Sequence, residues 1–120
     1  MTTLWVGLAG ALGAVARYRV GSAVGVRDFP WATLGINLMG CFLLGALLSG
    51  PYPDRWPVSA TAAVAVGFLG AFTTFSAFGF DTFTLMRAGR NGAALLYVLT
   101  SVIGGVAAVG GGYLVGRALS

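Results

Sequence analysis

The stretch GFLGAFTTFSAFGFD, residues 67–81, mixes aromatic rings with hydroxyl groups in a way that few helices require. Its five phenylalanines and three hydroxyl residues are Phe68, Phe72, Phe75, Phe78, Phe80, Thr73, Thr74 and Ser76. A helix that faces lipid has no need of adjacent hydroxyls, and a helix that faces water would not tolerate so many phenylalanines. The stretch therefore predicts a segment that lines something polar inside apolar surroundings.

This stretch belongs to an apolar segment, residues 58–86, that is too long for a straight membrane helix. Its 29 residues would make a helix about 43 Å long, against a bilayer core of about 30 Å. Gly67, Gly70, Gly79 and the β-branched pair Thr73–Thr74 predict a break near the middle. Because broken helices are tolerated at membrane depth only where the backbone is buried or lines a polar cavity, this break is expected to mark the functional site.

The composition of the whole chain is that of a membrane protein. Charged residues make up 8% of the chain and apolar residues 58%, whereas a soluble domain carries roughly 25% charged residues. The gaps between charges are long enough to cross a bilayer, which takes about 20 apolar residues. We predict an all-α integral membrane protein with one domain, residues 1–120, and four transmembrane helices, over residues 2–20, 31–50, 58–86 and 91–115.

Glycine supplies 20 of the 120 residues, and many glycines lie four residues from another small residue. Such faces let membrane helices approach closely. The pairs are Gly7 with Ala11, Ala9 with Gly13, Gly21 with Gly25, and Gly112 with Gly116. Because four short helices enclose little interior, the same faces also indicate an oligomer.

The rare residue types exclude several classes of function. The chain has no histidine and one cysteine, Cys41, which excludes an internal disulfide and argues against zinc, haem or iron–sulfur chemistry. No nucleophile–base pair is visible, so an enzyme is not expected. The net charge of +4 comes from arginines near the ends of the spans, which indicates membrane-flanking anchors rather than nucleic-acid binding.

Two spans carry neutral polar side chains at helical spacing. Thr33, Asn37 and Cys41 share one face of the second span, and an amide exposed to lipid is costly, so Asn37 should face protein, water or a ligand. A helix–helix hydrogen bond is the simpler interpretation of Asn37. Tyr97 and Ser101 form a second polar face on the last span; interface anchoring of the tyrosine and bonding of the serine to its own helix are the alternatives.

Asp81 is the only acidic residue inside a predicted span, which by default marks an ion path or a proton relay. It also lies near the end of its span, where it could remain in the headgroup region or pair with Arg87. The neutral groups suggest an anion path, because hydroxyls, an amide and the positive edges of phenylalanine rings each attract an anion weakly. Weak binding at several sites is what conduction needs.

Three motifs resemble the Fluc/CrcB family of fluoride channels over nearly the whole chain. They are GALGAVARY at residues 10–18, TLGINLMGCFLLG at residues 33–45 and GFLGAFTTFSAF at residues 67–78, with TTFS and the following phenylalanine the most specific. The resemblance implies a fluoride-selective channel that exports fluoride across the bacterial plasma (inner) membrane. It also implies an antiparallel dual-topology dimer with two pores.

The resemblance further implies roles for individual residues. The ion pathway would comprise Asn37, Phe75, Phe78, Tyr97 and Ser101. We add Thr74 and Ser76, because their hydroxyls are neutral hydrogen-bond donors next to these rings. The break would run from Gly70 to Thr74. Backbone carbonyls of Gly70 and Thr73 from each subunit would hold a structural sodium ion at the dimer centre. Arg17 would favour anions at a pore mouth. Asp81 would also lie at a pore mouth, in a position where the family usually has glutamate.

Two other functions remain open at the sequence level. A small multidrug-resistance-like cation/proton antiporter also has four short helices, but it usually needs an acid in its first helix, and the first span here has none. A non-conducting structural membrane subunit would use the rings and glycines for packing alone. The arginine count across the membrane is two against three, or two against five if Arg17 and Arg19 reach the same interface. The first count favours a homodimer, and the second a paralogous partner subunit.

Overall fold

The third apolar segment, the one that contains the opening stretch, is divided into two half-helices in a computed structural model that describes all 120 residues. The elements are α1 (Thr2–Val24), α2 (Trp31–Ser49), α3 (Tyr52–Arg55), α4 (Val58–Ala62), a π-helical segment (Ala63–Leu69), α5 (Gly70–Phe72), α6 (Phe75–Arg87) and α7 (Asn91–Ala118). There is no strand. The predicted all-helical class is therefore confirmed.

Three helical segments are long and apolar enough to cross a membrane: Trp31–Ser49, Val58–Arg87 and Asn91–Ala118. Helix α1 is long enough to cross a membrane, with 23 residues. Because it contains Arg17 and Arg19, it is less apolar than these three segments and is not among the candidate spans. The chain is thus a multi-pass membrane protein by length and composition. A membrane crossing by α1, and with it the count of four spans, remains a prediction.

The break lies inside the predicted range 70–74, but its upstream part is still helical. Gly70 belongs to α5, which continues to Phe72, and only Thr73 and Thr74 have extended backbone angles, with ψ of 155° and 121°. The sequence did not indicate the π-helical turn between α4 and α5. Since α4, the π-helical segment and α5 run on without interruption, we refer to residues 58–72 as the upstream half-helix and to α6 as the downstream half-helix.

The break lets the two half-helices pack against different partners. The upstream half-helix packs along α1, whereas the downstream half-helix packs on α7, which in turn lies along α2 over most of its length. Glycines make the closest of these approaches possible. A Cβ at Gly13 would collide with the carbonyl oxygen of Phe68, and one at Gly112 with that of Phe42.

The small-residue pairs predicted from sequence divide into two groups. Gly13, Gly112 and Gly116 lie in tight helix contacts within the chain, as expected for close packing. A methyl group placed on Gly7 or Gly21 would meet no other atom within 4 Å, so these two glycines face outward. Gly25 lies past the end of α1 with φ of 75°, a left-handed conformation that favours glycine.

Candidate functional site

The break is held open by the side chain of Asn37 on α2. Its Nδ2 donates to the Thr74 carbonyl at 3.1 Å, and its Oδ1 accepts from the Thr74 amide at 2.9 Å. The amide side chain thus replaces the helical partners of one extended residue. Because Nδ2 has two N–H groups, one donor remains for another acceptor. The simpler interpretation from sequence, that Asn37 forms a hydrogen bond between helical segments, is therefore confirmed.

Thr74 begins the downstream half-helix as its N-cap residue. Its Oγ1 accepts from the amide of Ala77 at 3.2 Å and lies 3.2 Å from the Oγ of Ser76. A threonine in this position satisfies one of the amides that have no partner in the first turn of a helix. The Ser76 side chain is exposed.

These bonds leave two carbonyl groups without the amides that a continuous helix would give them. In an α-helix the amide of residue 74 bonds to the carbonyl of residue 70, and that of residue 77 to residue 73. Here the Thr74 amide is bonded to Asn37, and the Ala77 amide to the Thr74 hydroxyl. The carbonyls of Gly70 and Thr73 are therefore available, and they are the two that the family resemblance assigns to sodium. Carbonyl oxygens are hard ligands and suit such an ion.

Arg17 lies at the break. Its Nε donates to the carbonyl of Ala71 at 3.1 Å and is partly buried. This carbonyl belongs to the last turn of the upstream half-helix, where a cation interacts favourably with the helix dipole. The guanidinium therefore joins α1 to the end of that half-helix, in addition to any effect on a passing anion.

A cavity of about 340 Å³ opens beside the break, and we call it the break cavity. Its lining residues are Asn37, Gly40, Cys41, Leu44, Ala65, Leu69, Gly70, Thr73, Thr74, Phe75, Phe78, Ser101 and Val102. None of them is charged. Seven of the residues predicted for the ion pathway or the sodium site are thus brought together from α2, the third segment and α7.

Ser101 contributes a hydroxyl with no hydrogen-bond partner. Its Oγ is buried, and it makes no bond to its own helix, so the alternative proposed for it from sequence is wrong. A buried hydroxyl that lacks a partner costs free energy unless something else binds there. The break cavity therefore contains a free neutral donor.

The aromatic rings of the break cavity continue into a row. Phe75 and Phe78 have ring centroids 5.7 Å apart, and Phe78 and Tyr97 5.2 Å, both pairs tilted. Phe75 itself is 84% exposed in a single chain. The row of rings thus begins at the uncovered Phe75 and ends at Tyr97, which lies behind Phe78 and outside the cavity lining.

Tyr97 is the most deeply buried large side chain of the protein, with no exposed surface. Interface anchoring, the alternative considered for it, is therefore wrong. Its hydroxyl donates to the Asp81 carboxylate at 3.3 Å. Asp81 thus bonds to Tyr97, and no ion pair with Arg87 is formed.

Asp81 lines a second cavity of about 260 Å³, which we call the loop cavity. The remaining lining residues are Thr33, Thr84, Leu85 and the connection between α1 and α2, residues 24–32. Thr33 and Cys41 share a helix face with Asn37, but they lie in different cavities. Ser76 lines neither cavity.

Two contacts at the site had no signal in the sequence. Arg17 precedes Tyr18 and Arg19, a pattern typical of an interface, and only the packing of α1 against the third segment brings it to Ala71. Phe29, in a loop between two proposed spans, packs edge-on against Tyr97 at 5.5 Å. Neither contact follows from periodicity, because each joins residues on separate elements.

Apolar helices, an interrupted third segment and an uncharged cavity at the interruption define a multi-pass membrane protein with a cavity at the break of its third segment. The family described as CrcB-like protein, Camphor Resistance (CrcB), matches residues 4–113. The chain therefore belongs to this family.

Several relatives cover almost the whole chain. A protein of Magnetococcus marinus named fluoride-specific ion channel FluC is 47% identical over 98% of this chain and 98% of its own length. A protein of Paracoccus denitrificans with the same name is 45% identical over 98% of this chain and 96% of its own. A protein of Listeria innocua named fluoride-specific ion channel FluC 2 is 44% identical over 91% and 85%. These names are those of ion channels and not of enzymes.

Proposed function

We propose that this protein is a fluoride-selective ion channel that lets fluoride leave the cell across the bacterial inner membrane. The observation that carries the proposal is the break cavity, where neutral donors and phenylalanine rings meet and no charged residue is present. The choice of fluoride as the ion rests on the names of the relatives. Nothing in the structure favours the antiporter or the non-conducting subunit.

The chemistry of the cavity suits a small anion that must give up water. The free hydroxyl of Ser101 and the remaining N–H of Asn37 can each donate a hydrogen bond, and the edges of the Phe75 and Phe78 rings carry partial positive charge. Each contact is weak because none involves a cation. An anion can therefore enter and also leave, as conduction requires.

A second copy of the chain completes the path in this proposal. Phe75 is 84% exposed and Gly70 is exposed, although both line the break cavity. An antiparallel copy placed against this face would cover the rings and bring its own break to the same level. Two breaks would then offer four carbonyls, those of Gly70 and Thr73 in each copy, to one structural sodium ion. When bound, the ion would supply positive charge that holds the two breaks together.

Fluoride efflux from liposomes tests the function directly. Vesicles that contain the purified protein should release fluoride, followed with a fluoride electrode, and should retain chloride. Equal fluxes of the two ions, or no fluoride flux, would reject the channel proposal.

Substitution of the cavity rings tests the pathway. Phe75→Ile or Phe78→Ile removes the ring edges at similar apolar character, and flux should fall by about tenfold, the effect of one lost ring contact on a rate. Phe83→Ile is the matched control, because Phe83 is on the same helix, 58% exposed, and lines neither cavity. Full flux in both cavity variants would contradict the role of the ring edges.

Removal of sodium tests the central cation. If Gly70 and Thr73 carbonyls hold sodium, dialysis into sodium-free buffer should reduce the fraction of dimer measured by gel filtration, and added sodium should restore it. An equal dimer fraction in the two buffers would argue against the site.

A further inference from the structure

A single buried tyrosine lies between the two cavities. The break cavity ends at Phe78, and the loop cavity begins at Asp81 and Leu85, on the next turns of the same helix. Tyr97 lines neither cavity and has no exposed surface. It belongs to the buried core cluster of Leu34, Leu85, Ala94 and Tyr97. The Tyr97 side chain thus packs between Phe78 of the break cavity and Asp81 and Phe29 of the loop cavity, on the direct route from one to the other. A third cavity, of about 420 Å³, has Thr74 in common with the break cavity and Thr33 in common with the loop cavity.

Besides this core, two rings and a carboxylate contact the Tyr97 side chain. The Phe78 ring contacts it from the break cavity, with centroids 5.2 Å apart. The Asp81 carboxylate accepts a hydrogen bond from its hydroxyl at 3.3 Å. The Phe29 ring contacts it from the loop cavity, with centroids 5.5 Å apart and the ring planes at 85°, the edge-to-face arrangement that aromatic pairs prefer.

Phe29 is fixed although it lies outside the long helices. Its carbonyl accepts from the Trp31 amide at 2.8 Å, and its ring packs on the Trp31 ring at 4.7 Å. The carbonyl of the preceding residue, Asp28, accepts from the Arg90 guanidinium at the start of α7. The loop is thus attached to the helix that carries Tyr97, and Phe29 is held against that tyrosine from the side of the loop.

We propose that Tyr97 forms the barrier between the two cavities and that Phe29 is a positioning residue that keeps the Tyr97 ring in the barrier. The proposal rests on the channel function above. On the direct route, an ion that passes from one cavity to the other requires the Tyr97 ring to move away from Phe29. Loss of the edge-to-face contact therefore makes this movement easier, while the donors of the break cavity are left in place.

The test is the fluoride flux of Phe29→Leu protein in liposomes, measured over a range of fluoride concentrations. Maximal flux should rise about two- to tenfold, the factor that corresponds to one aromatic pair. The half-saturating fluoride concentration should stay unchanged, because Asn37, Ser101 and the two cavity phenylalanines are not altered. A purely structural role of Phe29 would lower flux together with the amount of assembled protein.

The control variants separate the contact with Tyr97 from general effects of losing a ring. Phe29→Tyr keeps the ring and should restore wild-type flux. Tyr52→Leu removes a ring from the Tyr52–Trp56 pair, which lies away from both cavities, and should leave flux unchanged. Where Phe29→Leu protein does not assemble, Phe29→Met fills the space without a ring and is judged by the same criteria.

The outcomes distinguish this inference from the proposed function. Wild-type protein that releases no fluoride overturns the channel itself. Wild-type protein that conducts, together with unchanged or lowered maximal flux in an assembled Phe29→Leu variant, overturns the barrier proposal and leaves the channel intact.

Discussion

Asn37 has a structural role that precedes any contact with an ion. Both ends of its amide bind the backbone of Thr74, so the same side chain fixes the break and presents one N–H to the break cavity. Arg17 acts similarly on the other side of the break, through the carbonyl of Ala71. Single residues here replace the hydrogen bonds that the interrupted helix has lost.

Substitution of Asn37 by aspartate removes both functions of Nδ2, the bond to the Thr74 carbonyl and the free N–H. In Asn37→Asp an oxygen replaces the donor that faces the Thr74 carbonyl, and a negative charge enters the anion path. We expect fluoride flux to fall by about a hundredfold, since a lost hydrogen bond to a charged or buried group and an added repulsion together amount to about 3 kcal/mol. The measurement is fluoride efflux from liposomes that contain the variant.

The matched control for this prediction is Thr100→Val. Thr100 also makes hydrogen bonds to backbone carbonyls, but only to those of its own helix, and it lines neither cavity. The fluoride flux of the Thr100→Val variant should equal that of the wild type. Wild-type flux in Asn37→Asp protein would contradict the role assigned to the amide.

At the scale of the element, the interruption of the third segment solves a packing problem. A straight helix of 30 residues would have to follow one neighbour throughout. Two half-helices instead follow α1 and α7 in turn. The π-helical turn at Ala63–Leu69 widens the upstream half-helix just where Gly67 lies against the backbone of Val6. The break is therefore part of the packing as well as of the site.

Glycine contacts between helices give a second prediction at this scale. A Cβ at Gly112 would overlap the backbone of α2 at Phe42 and Ala46, so Gly112→Ala should force α2 and α7 apart at a cost of about 1–3 kcal/mol. The measurement is the thermal unfolding midpoint of the protein in detergent.

Gly110→Ala is the control for that substitution. Gly110 is on the same helix, and a Cβ there would meet nothing within 4 Å. Its unfolding midpoint should match that of the wild type or rise slightly, because alanine favours the helix. Equal midpoints for the two variants would show that the close approach of α2 and α7 does not limit stability.

At the scale of the whole molecule, the contact of Arg17 bears on the predicted count of arginines at the two membrane surfaces. Arg17 donates to the carbonyl of Ala71, so we leave it out of that count. Arg19 is exposed, and with α1 as a membrane span it would face the same side as Arg27, Arg87 and Arg90. The expected count is then two against four, between the two alternatives derived from sequence. This moderate bias is compatible with insertion in both orientations, as the proposed antiparallel homodimer needs.

Reporter fusions at the C-terminus test this interpretation. Wild-type protein should show reporter activity on both sides of the membrane. Arg19→Gln should shift the two activities toward equality, because the bias falls by one charge. Arg17→Gln should leave their ratio unchanged, since that charge lies away from the surfaces. A single orientation for the wild type would favour the paralogous partner subunit.

The sequence by itself determined the elements and the candidate residues of the site. Long uncharged runs leave the backbone no alternative to helices in lipid, and the length of residues 58–86 together with Thr73–Thr74 indicated the break. Asn37 and Ser101 were recognisable because polar groups are costly on a lipid-facing surface. Phe75 and Phe78 were distinguished from the other phenylalanines by the family resemblance. Their meeting in one cavity agrees with that reasoning.

Only the tertiary structure decided which of these groups contact one another. Periodicity fixes the face on which a residue lies, but not the neighbour that this face meets. For that reason the bond from Arg17 to Ala71, the burial of Tyr97 and the contact of Phe29 with it could not be inferred. The π-helical turn was missed because an apolar run looks the same at either helical period.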